Sequence, residues 1–100
     1  MTIHEAIALL QRAGVPDYLY VVGELGGGEC HGVDYRDERW LVYFSERGLA
    51  RSVRAFTTEA AAAAYFVWQF KGELKARGAS PPAPPTDEGE PRPDYRPGQA

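Results

Sequence analysis

The chain reads as an α+β domain: an N-terminal helix, a four-stranded antiparallel meander sheet and a C-terminal helix packed on one face, with a disordered Pro-rich tail behind it. Three observations predict this. Trp40 to Ser45 alternates large apolar side chains on both faces, as a central strand does. Ala60 to Ala64 is a run of the residue with the highest helix propensity. Seven of the eight prolines follow Ser80, where Tyr95 is the only large apolar side chain. A stretch of that composition buries too little surface to offset the entropy of ordering it. The expected boundaries are a single domain over residues 1–78 and a disordered tail over 79–100.

Each element has its own signal. Thr2 is placed to cap a helix running to Ala13, and Glu5 three residues on completes a capping box. Ile3, Ala6, Ile7 and Leu10 form its apolar stripe. Gly14 ends it and Pro16 prevents its resumption. Tyr18 to Leu25 alternates as a first strand, and Gly26-Gly27-Gly28 follows as a hairpin turn. Glu29 to Tyr35 is a second strand, with His31, Val33 and Tyr35 on one face. Arg36-Asp37-Glu38-Arg39 is a charged turn. After the third strand, Glu46-Arg47-Gly48 reverses the chain. Leu49 to Phe56 is a fourth strand, in which Arg51 and Arg54 are expected on opposite faces, a pattern suited to a sheet edge. Thr57 or Thr58 then caps a second helix, and Glu59 favours the positive end of its dipole. That helix is expected to run to Arg77, with Gly78 as its stop.

Composition narrows the function. The net charge is −3, of which the tail supplies −2. A near-neutral domain lacks the basic excess of a nucleic-acid binder. Cys30 is the only cysteine, so neither an intrachain disulfide nor a multi-cysteine zinc site is expected. The opening Met-Thr-Ile-His-Glu is not a basic leader before an apolar run, and no stretch approaches the ~20 apolar residues that span a bilayer. The expected setting is cytoplasmic, with no membrane partner.

Candidate chemistry is sparse. Cys30 and His31 are adjacent in a strand and so point to opposite faces, which does not suit a shared metal. The glycine run lacks the Lys-Ser/Thr of a phosphate loop and leads into a strand. Carboxylates near turns are spread over alternating faces, so no nucleophile, base and orienting group assemble. The expectation is no enzyme, no metal and no cofactor. Glu46 and Arg47 have two readings: a turn salt bridge of little worth, or a charged recognition corner. Tyr65 and Trp68 lie beside the Phe66/Phe70 stripe, as core or as cover for a partner.

The order R-A-G-V-P (Arg12 to Pro16), W-x-V-Y-F-S-E-R-G (Trp40 to Gly48) and F-x-T-E-x-x-A (Phe56 to Ala62) resembles small bacterial immunity proteins of polymorphic toxin systems. The resemblance spans about Leu10 to Leu74. It implies a protein that binds a cognate secreted toxin, NAD-degrading ones among them, and occludes its active site. On that reading the acidic groups near the hairpin turns (Glu24, Glu29, Asp37, Glu38), the Glu46/Arg47 corner and Tyr65 with Trp68 are the partner-binding candidates. The alternative is a non-catalytic interaction or regulatory module, including a homodimer built on the second helix.

Overall fold

A computed structural model of the protein describes residues 1–23 and 29–96. Its elements are α1 (Ile3–Arg12), a 3₁₀ turn (Asp17–Leu19), β1 (Tyr20–Val22), β2 (Cys30–Arg36), β3 (Arg39–Glu46), β4 (Leu49–Phe56), α2 (Glu59–Trp68), α3 (Lys71–Ala76) and β5 (Glu90–Arg92). Thr2 caps α1 through a complete capping box: Glu5 N–H donates to its Oγ1 at 3.0 Å, and Thr2 N–H donates to Glu5 Oε1 at 2.9 Å. The Ile3 N–H, free of any intrahelical acceptor, donates to Glu59 Oε2 at 2.9 Å. One carboxylate thereby ties α1 to the first turn of α2.

The sheet has five strands in the order β1-β2-β3-β4-β5, and it is mixed. Three expectations are corrected here. First, β1 pairs with β2 in parallel, with Tyr20 opposite His31 and Val22 opposite Val33. The expected strand over Tyr18–Leu25 is confined to Tyr20–Val22, because Asp17–Leu19 forms a 3₁₀ turn. A three-residue strand rises only ~7 Å, so a short link suffices to return the chain for parallel pairing. The glycine turn at Gly26–Gly28 and the end of the expected strand at Leu25 lie outside the described residues, as does Glu24.

Second, β4 is not an edge. β5 pairs with it antiparallel, Val53 opposite Arg92 and Ala55 opposite Glu90. The expected disorder of the tail therefore fails over Glu90–Arg92, and Tyr95 makes a further bridge with Ala50. Third, Arg51 and Arg54 share a face. The β3–β4 register places Phe44 opposite Arg51 and Val42 opposite Arg54, so two residues, Ser52 and Val53, face Tyr43 alone. Ser52 takes φ +53° at this bulge. The extra residue keeps Ala50, Val53 and Ala55 together in one apolar cluster, where strict alternation would have divided them.

The helix expected to reach Arg77 is broken. Its N-terminus is capped by Thr58, whose Oγ1 accepts from Ala61 N–H at 3.2 Å. At Gln69 and Phe70 the hydrogen bonding tightens, with Phe70 N–H donating to Val67 O at 2.9 Å. Phe70 sits at φ −99°, ψ 14°, between α2 and α3. The kink keeps Phe66, Phe70 and Leu74 all buried.

Both faces of the sheet are covered over β3. On one side Val33, Val42 and Phe56 share a cluster with Ala6 and Leu10 of α1, Phe66 of α2 and Leu74 of α3. On the other, Leu41, Tyr43, Ala50, Val53 and Ala55 form a second cluster, against which Tyr95 packs. No helix among the described residues is long and apolar enough to cross a membrane.

Candidate interaction surfaces

The hairpin tips carry charge on unusual backbone. The β2–β3 turn places Asp37 at φ +53° and Glu38 at φ +61°; the β3–β4 turn places Arg47 at φ +52° and Gly48 at φ +76°. Two consecutive positive φ values match the twist of a two-residue hairpin, where Asn-Gly is the favoured pair. Glu38 and Arg47 have no such preference, so each tip is held in a costly conformation by the strands that flank it. Asp37, Glu38 and Arg47 are all exposed.

The acidic candidates do not converge. Asp37 and Glu38 occupy one end of the hairpin ladder. Glu46 and Arg47 occupy the other, some 24 Å away along the eight residues of β3. Glu29 precedes Cys30, the register partner of Ser45, and so belongs to the Glu46 end. Glu46 is half-buried and accepts from Arg51 Nη1 at 3.3 Å, so the Glu46/Arg47 corner includes a salt bridge, but one with Arg51. The Tyr65 ring packs on Phe56 at 5.3 Å, and Lys71 Nζ lies 4.7 Å from the Trp68 ring centroid. Both aromatics are half-buried.

His31 is enclosed more than a surface strand residue would be. Its ring contacts Phe44 at 5.1 Å and Phe70 at 5.0 Å, both edge-on, in a shallow cleft that Glu29 and Glu73 also line. Burial lowers its pKa from the ordinary 6.5. Below that pH the unfolded chain binds the proton more readily than the folded one. The stability present at neutral pH is therefore lost as pH falls through 6.5 toward the folded value. We expect urea unfolding to show a smaller free energy at pH 5.5 than at pH 7.5, and His31→Phe to flatten that difference. An equal pH dependence in the two proteins would contradict this. Among the described residues, no three His, Cys, Asp or Glu side chains are grouped to hold a metal.

Neither a family model, a curated protein nor a solved structure matches this chain.

The surface that sequence reading missed lies on the opposite side of the sheet. A cleft of about 250 Å³ is lined by Arg36, Arg39 and Arg92, by the carboxylates of Asp37 and Asp94, and by Tyr95, with Leu41, Val53 and Pro93 as apolar wall. It is built from the β2–β3 hairpin and from the C-terminal segment expected to be disordered, with Val53 of β4 between them. The signal for the hairpin part was present: Arg36 and Arg39 flank a two-residue turn, and such residues must pair. Arg92 and Tyr95 had no comparable signal.

Proposed function

We propose that this protein is a non-catalytic immunity protein that binds a cognate secreted toxin and occludes its active site. The observation that carries the reading is the pair of charged hairpin tips, each presented on positive-φ backbone. A two-residue turn held at positive φ by its flanking strands fixes the backbone that presents these charges, so little backbone freedom is lost on docking. The resemblance of Trp40–Gly48 and Phe56–Ala62 to immunity proteins supplies the partner class. Those residues pair in this fold, with Trp40 opposite Phe56, and they carry the Arg47 tip at the end of β3.

The test is co-expression with the product of the neighbouring gene, scored by growth rescue, by preserved cellular NAD where the partner consumes it, and by isolation of the complex. Reversal of charge at one tip, Asp37→Lys with Glu38→Lys, is expected to weaken the complex about tenfold and steepen no other property of the free protein. Absence of both rescue and complex would leave the alternative of a regulatory or homodimeric module. The half-buried Trp68, covered on one side by Lys71, is the residue whose replacement by alanine would then abolish self-association.

A further inference from the structure

We propose that the cleft between the Ser52 bulge of β4 and the break between α2 and α3 binds a small, uncharged cyclic amide of the pyrimidine-base type. This goes beyond the reading of the chain as a toxin-binding protein and does not depend on it.

Three departures from regular structure meet at this cleft. Ser52 takes φ +53° at the β4 bulge, a conformation that a residue with a Cβ adopts at a cost. The helix expected as one piece stops at Trp68 and resumes at Lys71, with Gln69 as the cap between. His31 is enclosed by Phe44 and Phe70. Ser52, Gln69 and His31 all line one cleft of about 250 Å³, with Tyr65 of α2 beside them and Val42 and Phe44 as apolar floor. Local irregularities that converge on one hollow are the usual mark of a functional site.

The lining selects the chemistry of the occupant. Gln69 Nε2 donates to Tyr65 O at 3.3 Å, which leaves Oε1 as an acceptor. Burial lowers the His31 pKa, so at neutral pH one ring nitrogen donates and the other accepts. The Ser52 and Tyr65 hydroxyls can do either. Neither hydroxyl, nor the His31 imidazole, is hydrogen-bonded to another described residue. These groups come from β2, β4, α2 and its cap, so they suit a ligand with donors and acceptors on several edges. Among the described residues no charged side chain lines the cleft, and a carboxylate or ammonium would enter it unpaired. A flat cyclic amide carries N–H and C=O groups around one ring and offers an apolar face to Phe44. The volume lies below the roughly 300 Å³ at which clefts for drug-sized ligands begin, so it holds one ring and not a nucleotide. The adjoining cleft shares His31, Phe44 and Gln69 and is rimmed by Glu29 and by Glu73, which pairs with Arg77 at 3.3 Å. No lysine or arginine among the described residues lines either cleft, so a phosphate on the ligand would find no partner there.

The experiment titrates uracil into the full chain and follows the His31 ring and the Ser52 and Gln69 amide signals by NMR. The parallel arms are 1,3-dimethyluracil, which lacks the N–H donors, orotate, its anionic carboxyl derivative, and benzylamine, a cation. Shifts confined to the cleft are expected with uracil and much weaker ones with the other three. Two variants keep the fold while removing one hydroxyl each. Tyr65→Phe retains the ring that packs on Phe56, and Ser52→Gly relieves the positive φ. Each is expected to weaken the response about fivefold, the worth of one hydrogen bond, without lowering the urea midpoint. Equal response to uracil and 1,3-dimethyluracil, a stronger one to orotate or benzylamine, undiminished binding in both variants, or no shift at these residues would overturn the proposal. Because the probes are small molecules, the result stands apart from success or failure of the toxin complex.

Discussion

Replacement of Gly32 by alanine is expected to destabilise the fold by about 3 kcal/mol, the upper range for overpacking a filled interior. Gly32 is buried in β2 and stands directly opposite Tyr43 in the β2–β3 register. The Tyr43 ring lies across it. A methyl group built there would overlap the ring, with the hydroxyl oxygen at 2.7 Å and the nearest ring carbons closer still. The ring has little room to retreat, since Tyr43 is only 2% exposed and touches Tyr95 on its far side. The measurement is the urea midpoint of the variant against the parent. A double replacement, Gly32→Ala with Tyr43→Val, separates the causes: if overlap is responsible, the second change costs far less beside the first than it does alone. An unaltered midpoint in Gly32→Ala would mean that the ring does not occupy this bay.

Removal of residues 80–100 is the second large effect. A truly disordered tail would be dispensable. Here Glu90–Arg92 completes the sheet and Tyr95 covers the second apolar cluster. Gly89, at φ +74°, lets the strand approach so closely that any added Cβ would sit 2.8 Å from the Phe56 ring and 2.9 Å from the Ala55 carbonyl. Loss of the buried part of Tyr95 alone is worth about 2 kcal/mol. The truncated chain is expected to stay folded, because the larger cluster draws its fully buried members from residues up to Leu74. It is also expected to self-associate, because β4 becomes an uncovered edge beside exposed Leu41 and Tyr43. Urea unfolding and sedimentation velocity check the two halves of this expectation. Unchanged stability with a monomeric product would show that the segment contributes nothing to the fold.

The contrast between these two sites shows what a sequence can announce. The capping box at Thr2 and Glu5 was legible because its chemistry is local: two side chains and two N–H groups within one turn. The same holds for β4, found over Leu49–Phe56 as expected, and for the turn at Gly48. The bulge at Ser52 was not legible, since it arises from matching Ala50, Val53 and Ala55 to a cluster built by another strand. Glu90-Pro91-Arg92 has almost no strand propensity; it pairs because Tyr95 anchors it and because Pro91 is tolerated at the outer edge. The parallel pairing of β1 and the kink at Phe70 likewise reflect packing around His31, where Tyr20, Phe44 and Phe70 meet. Among the candidate contact residues, the charged turns were readable as turns. Their separation to opposite ends of β3 follows from hairpin geometry. The arginine cleft required the C-terminal segment, which composition alone assigns to solvent.

Cys30 sits at the start of β2 with only 3% of its surface exposed. A thiol sealed in this way is shielded from oxidants and alkylating reagents for as long as that part of the sheet stays closed. Since the chain has no other sulfhydryl, the speed at which such a reagent marks it becomes a clock for how often the protein breathes there.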